Sequence, residues 1–244
     1  MHNISPEIIS GFDEIRRDDS RTAPIKDRLH LWAEKFIERP YIDNPLTDGE
    51  NRLRFDGFDC MTFVETCLAL SISESPDEVL SNLDRIRYRD GRVGFDNRNH
   101  FVSADWLPND NWLLEVEDEL ANSQVTRTID RGEFFTEKGH PLPPNHPLVA
   151  PQEVTLPYIS VDRAMVIEPH RLDGKVAFFI GDLEWLIVRH MGLTFNEDEN
   201  AVLIHASSVS RRVEKELLCD YLDGRDNIMG IAMASLRAYC DSYV

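Results

Sequence analysis

One cysteine at the start of a helix and two histidines in apolar runs are the residues of this sequence best suited to chemistry. Cys60 follows Asp59 where a loop rich in Asn, Asp and Gly (residues 43–57) gives way to a helical stretch. Unpaired backbone N–H groups and the helix dipole favour an anion at such a junction. Thiols so placed can titrate far below their usual ~8.5, in the range of about 3.5–7.5, and the Cys60 backbone N–H can act as an oxyanion donor. The same residues equally fit a small core cysteine behind an N-capping aspartate. Among the histidines, His190 and His205 stand apart because they lie in the strand-like runs VRHMGLTF and AVLIHASS. A hairpin closed by residues 197–200 sets Asn196 opposite Ala201 and Gly192 opposite His205, so His190 and His205 share one sheet face as diagonal neighbours. A base beside a residue that orients it is the working pair of a cysteine hydrolase. Two strand histidines satisfied within a core are the bland alternative, and periodicity does not bring Cys60 to either of them.

These residues need helices and strands to hold them. Residues 25–38 read as an amphipathic helix, with Ile25, Leu29, Trp32, Ala33, Phe36 and Ile37 on one stripe and Pro40 marking its end. Residues 60–72 form a second, with Cys60, Phe63, Val64, Cys67 and Leu68 at helical spacing. A third covers 76–87, with Ser75 as N-cap and Glu78 three residues on. The stretch 107–174 holds 8 of the 13 prolines and reads as a long, partly irregular excursion over one face, with short strands near 125–129 and 165–167. Runs at 176–180, 185–188, 190–195 and 201–206 are strand-like. Helices first and strands later predict an α+β fold with an antiparallel sheet, in a single domain spanning residues 1–244.

With 244 residues, 42% of them hydrophobic and 29% charged, the chain can bury a sizeable core. Its 26 basic and 44 acidic residues leave a net charge of −18, which disfavours nucleic acid and anionic membranes as partners. No apolar run approaches the ~20 residues of a membrane span, and the N-terminus lacks the pattern of a secretory signal. The expectation is therefore a cytoplasmic protein, with periplasmic action left open by another export route or a trimmed leader. Four cysteines make no disulfide framework. Cys60 and Cys67, about 10.5 Å apart along a helix, lie too far apart to bridge. Cys219 and Cys240 can pair in principle, and a reduced protein is the default. Neither HExxH nor paired CxxC occurs, so no metal is expected. The acidic clusters at 115–119 and 197–199 read as solvated surface.

Several blocks resemble those of the NlpC-type papain-like cell-wall cysteine peptidases. They are RPYIDNPL followed by FDGFDCMTFVE, then GDLEWL, then RHMGLTF followed by LIHASS. DCMTFVETCLAL, RIRYRDG, RNHF with Trp106, and IHASS resemble more closely the N-acetylmuramoyl-L-alanine amidase-like branch, once known only as a domain of unknown function. The blocks run from about residue 37 to about residue 230. The resemblance implies N-terminal helices that carry the cysteine and a C-terminal antiparallel sheet that carries the histidines. It also implies Cys60 as nucleophile, His190 as general base and His205 as the residue that orients the imidazole, with no cofactor.

Tyr41 then lies beside the thiol as a hydrogen-bond donor, or simply packs on the core where its helix ends. Asp59 reads a substrate amine or caps the helix. Arg98, Asn99 and His100 match the branch's pocket segment, with Arg98 toward a substrate carboxylate; a polar turn packed by Phe101 and Trp106 is the structural alternative. Relatives that cut the γ-D-glutamyl–diamino acid bond carry a serine where this chain has Met61. That departure favours the N-acetylmuramoyl–L-alanine amide of a peptidoglycan fragment or soluble muropeptide, with the γ-D-glutamyl endopeptidase as the alternative. A non-catalytic adaptor whose acidic surface binds a protein partner, and a cysteine acyltransferase, are the other classes. The excursion at 107–174 is the expected wall of the cleft, with Trp106, Trp112, Phe134 and Phe135 as sugar-stacking candidates.

Overall fold

The structure, a computed structural model, describes residues 24–45, 48–49 and 52–237, with positions 6, 10 and 12. Helix α1 (Ile25–Lys35) turns Leu29, Trp32 and Ala33 inward. It ends three residues earlier than its periodicity predicts. Glu38 takes a positive φ of 71°, and its N–H joins the Val213 carbonyl at 2.8 Å. Pairing with a sheet edge thus competes with further helix. Residues 38–42 run along that edge, and Tyr41 bridges to Phe58 just ahead of Cys60.

Helix α2 (Cys60–Ile72) starts where predicted. Asp59 accepts from the Thr62 N–H at 2.8 Å, and Thr62 Oγ1 accepts from the Asp59 N–H at 3.0 Å. This reciprocal cap satisfies two otherwise orphaned donors. From Thr62 to Ser71 every side chain of α2 is buried, because the helix packs against α1, against α3 (Val79–Arg87) and against the sheet. Glu65 on α2 and Arg87 on α3 pair at 2.7 Å, both almost fully buried. The third predicted helix is divided: residues 76–78 form a tighter 3₁₀ turn before α3, with the Ser75 hydroxyl 3.0 Å from Glu78.

Eight strands join in one sheet among the described residues: β1 (Leu114–Val116), β2 (Ser123–Ile129), β3 (Gln152–Ser160), β4 (Lys175–Gly181), β5 (Val188–Glu197), β6 (Asn200–Ser207), β7 (Arg212–Leu217) and β8 (Ile228–Leu236). Their order is β2-β3-β8-β4-β5-β6-β7, with β1 paired to β8 and every pairing antiparallel. The mixed helix and antiparallel-sheet architecture agrees with the expected α+β class.

Four sequence expectations need correction. The stretch 107–174 carries more sheet than expected, since β1, β2 and β3 extend the sheet from β8. Residues 165–167 form a turn after a short helix, not a strand. Trp185 stands 59% exposed in the β4–β5 connection. Strands β1, β3, β7 and β8 were not anticipated, although β8 is central. Cys240 lies outside the described residues, so the Cys219–Cys240 pairing does too.

Asp110 is fully buried, accepts from Trp112 Nε1 at 3.2 Å, and leaves its second oxygen unpaired. Burial, with Glu65 nearby, pushes its carboxyl up to about 9. The folded protein then keeps a proton that the unfolded chain releases near pH ~4. That stabilisation is complete below about pH 4 and fades as pH rises toward 9. Asp110→Asn is expected to flatten the fall of Tm between pH 5 and pH 9. Thermal melts across that range check it, and an unchanged slope would refute the assignment.

Candidate active site

The β5–β6 hairpin closes through Asp198 and Glu199, both at positive φ (48° and 63°), as a two-residue turn twisted like its strands requires. Asn196 pairs with Ala201 as expected, and Leu193 with Ile204. The register carries Gly192 to His205, where a Cβ on Gly192 would lie 2.9 Å from the His205 Cβ. Only glycine leaves room for that imidazole.

His190 Nε2 and His205 Nδ1 lie 2.8 Å apart, and His205 Nε2 lies 2.8 Å from Glu216 Oε1. Glu216 comes from β7, where the register sets Glu214 opposite His205. An ionised carboxylate only accepts, so His205 carries its proton on Nε2 and accepts through Nδ1. His190 then donates from Nε2, which leaves its Nδ1 as an unprotonated base. Tyr221, on the short helix α4 that follows β7 (Leu218–Leu222), stacks on His190 and meets the edge of His205. Sequence reasoning missed Glu216. The signal was the SSVSRR turn after His205, which folds β7 back and sets acidic residues along one face of β7 beside that histidine.

The half-buried Cys60 sits at the first position of α2, which packs on β5. Backbone N–H groups of Met191, Met61 and Cys60 itself favour its thiolate, and Met191 is the residue after His190. Loss of water and the Asp59 charge outweigh them and push the thiol up to about 12. The expected lowering of this pKa is thereby corrected: the N–H groups of one helix turn do not replace the lost hydration. The thiol makes no hydrogen bond to either imidazole. His190 is held well below its ordinary range by burial first, then by His205, Arg225 and Arg189. Thiol and imidazole therefore rest as a neutral pair.

Tyr41 is half-buried, with the Arg211 guanidinium 4.9 Å over its ring. Burial, then the neighbouring Cys60 and Asp59, raise its hydroxyl to about 12. Tyr41 thus lies near the thiol, while Asp59 is occupied as the cap of α2.

The segment at 98–100 is turned to internal bonding. Arg98 pairs with Asp48, which also accepts from the Tyr88 hydroxyl at 2.9 Å. Asn99 is buried, donates to the Ile86 carbonyl at 3.0 Å and accepts from Asn109 at 2.6 Å. His100 Nε2 meets the Phe95 carbonyl at 2.9 Å, and its ring packs on Phe95, Phe134 and Phe135. Arg98, Asn99 and His100 thus build a packed turn, with the Arg98 guanidinium paired to Asp48. Trp106 and Phe135 are core residues, whereas Trp112 and Phe134 are half-buried, Trp112 with Arg85 3.5 Å over its ring and Phe134 packed on His100 and Phe101.

Two groups bring imidazole and carboxylate ligand atoms within 4.8 Å among the described residues: His30 with Glu34 and Glu197, and His205 with Glu214 and Glu216. In the first, Lys215 already bonds both carboxylates, at 2.8 and 3.0 Å. In the second, both His205 nitrogens are engaged.

Comparison with known families places this geometry. Residues 32–231 match the model of the AmiA-like family, described as N-acetylmuramoyl-L-alanine amidase-like. The chain belongs to that family. It is similar to a Legionella pneumophila protein of known structure, with a TM-score of 0.79 and 22% identity over 96% of this chain and 97% of the other. It is also similar to an N-acetylmuramoyl-L-alanine amidase from Bacteroides uniformis, with a TM-score of 0.73 and 24% identity over 87% and 99% of the two chains. At these identities the two structures speak to the fold. No curated protein matches the chain. The amidase-like family and the mixed helix–sheet fold thus agree with the sequence expectation at this level.

Proposed function

We propose that this amidase-like protein is a cysteine-dependent, NlpC-type hydrolase that cleaves the N-acetylmuramoyl–L-alanine amide of peptidoglycan fragments. The observation that carries the reading is the His190–His205–Glu216 relay, set on a hairpin that packs against the helix start bearing Cys60. Because thiol and imidazole rest neutral, Cys60 is activated during attack rather than beforehand. His190 Nδ1 takes the thiol proton as sulfur bonds to the carbonyl carbon, and backbone N–H groups at the start of α2 hold the oxyanion. The C–N bond then breaks as His190 returns that proton to the leaving amine. Water, deprotonated by His190 as it attacks, hydrolyses the thioester; the C–S bond breaks and His190 returns that proton to the Cys60 sulfur, restoring the neutral pair. The Glu216–His205 pair keeps the other proton of His190 on Nε2 throughout, so that Nδ1 is the nitrogen that takes and returns protons. Met61, where γ-D-glutamyl endopeptidases carry serine, supports the choice of bond.

Digestion of a disaccharide tetrapeptide, with products weighed by mass spectrometry, tests this. Free disaccharide plus intact tetrapeptide is expected. A disaccharide dipeptide means γ-D-glutamyl cleavage, transfer of the acyl group to an added amine means an acyltransferase, and no turnover favours the adaptor.

The pH profile follows from His190. The base must be unprotonated, and its pKa lies well below 6.5. The acid limb of kcat/KM is therefore expected below pH 6.5, with activity flat as pH falls through that value. An acid limb at or above 6.5 would count against His190 as the base.

A further inference from the structure

A small pocket of about 220 Å³ opens beside His190, lined in part by Arg189, Tyr221, Arg225 and Ser207. It is smaller than a typical whole-ligand site, and suits one group of a larger substrate. The register between β4 and β5 slips here: Phe179 pairs with His190 but Ile180 with Val188, so Arg189 is the extra residue of a β-bulge. Bulges re-aim a side chain, and this one turns Arg189 toward the pocket. Gly181 makes the turn possible, since a Cβ there would come within 2.8 Å of Arg189 Cδ. Arg189 bonds only weakly, to Asp182 at 3.2 Å and to the Asn227 carbonyl at 3.5 Å. The Arg225 guanidinium lies 4.1 Å over the Tyr221 ring and makes no side-chain hydrogen bond among the described residues. A half-buried guanidinium with its donors unused, next to a second one, contrasts with a chain whose net charge is −18. It also contrasts with Arg98, which Asp48 already neutralises.

We infer that this pocket is a carboxylate subsite, in which Arg225, assisted by Arg189, holds a free carboxylate on the leaving-group side of the scissile amide. The inference rests on the proposed reaction. His190 must hand its proton to the leaving nitrogen, so the peptide that departs extends past His190, on the side where the pocket lies. In a muramoyl peptide the lactyl carboxyl is consumed in the amide, so the first free carboxylate belongs to the second residue of the peptide. A planar guanidinium fixed by an aromatic face is suited to bidentate capture of such a group. The same two guanidiniums disfavour the His190 imidazolium, and a bound carboxylate offsets them where the proton is needed.

Binding separates this inference from the reaction itself. Protein carrying Cys60→Ala is titrated by calorimetry with the γ-methylamide of N-acetylmuramoyl-L-alanyl-D-glutamic acid, which has the α-carboxylate as its one free acid, and with the corresponding α-amide. The acid is expected to bind about tenfold or more tightly than the amide. Adding Arg225→Gln should bring the ratio close to one, and Arg225→Lys should retain part of it. Circular dichroism establishes that the variants are folded. Equal binding of acid and amide, binding of neither, or a ratio that survives Arg225→Gln overturns the subsite. Hydrolysis of the same two compounds by the unmodified protein tests the reaction independently, so the one can fail while the other stands.

Discussion

Cys60→Ala is expected to lower kcat/KM on a muramoyl-peptide amide by about four orders of magnitude or more, with Tm changed by only a few degrees. The large loss follows from the proposed chemistry, because without sulfur no thioester forms and only binding and the oxyanion donors remain. The small stability effect follows from geometry. The thiol is half-buried and makes no side-chain hydrogen bond, and the helix cap is built by Asp59 and Thr62 rather than by Cys60. His190→Ala should be nearly as damaging. His205→Gln should lose less, about ten- to a hundredfold, because a glutamine carbonyl can accept from His190 while its amide donates to Glu216. Steady-state kinetics alongside thermal melts make the check. Activity of the Cys60 variant close to that of the parent would exclude covalent catalysis by this residue.

Arg87→Met is expected to cost about 3–5 kcal/mol of stability, because it strands the Glu65 carboxylate inside the protein. The pair spans 2.7 Å with side-chain exposures of 2% and 1%, so neither ion has water to fall back on. Burial raises the Glu65 carboxyl even with Arg87 opposing it. Removing the cation removes that opposition, so the variant gains a proton on folding. Its stability is then greatest in acid and falls as pH rises through the raised Glu65 pKa. Replacing both partners, Glu65→Leu with Arg87→Met, should recover most of the loss, since the cost lies in an unpaired charge rather than in a missing contact. Urea unfolding at two pH values measures both effects. A single variant as stable as the parent would show that Glu65 finds another partner or reaches water. The pair also anchors α2, the helix that presents Cys60, to α3.

Much of the local structure could be read along the chain. Asp59 and Thr62 are neighbours in sequence, and their cap is a local hydrogen-bond pattern, so the start of α2 was legible. The β5–β6 hairpin was legible for the same reason: its turn is short, strands alternate with period two, and the residue opposite His205 is a glycine. Strand β8 was hidden because IMGIAMASL mixes glycine, alanine and methionine without alternation, and β4 and β3, its partners, cover both of its edges from far away in the sequence. Strand β3 was hidden by its setting in a proline-dense stretch and by Pro157 within it, which the chain tolerates opposite Gln124 near the sheet edge.

The sequence by itself determined the residue types at the site, the cap that starts the cysteine helix and the hairpin that joins the two histidines, because each depends on residues a few positions apart. Tertiary structure alone decided the electrostatic state of the site and who its partners are. Burial, not helix position, sets the Cys60 thiol high, and burial with nearby cations sets His190 low. Glu216 reaches His205 only after β7 folds back beside β6. Arg98 and Arg225 look alike as isolated arginines, yet one meets Asp48 fifty positions away and the other stays unspent beside the histidines. The physical reason is the same in each case: solvation and pairing are set by whatever the fold brings within a few ångströms, and spacing along the chain carries no record of that.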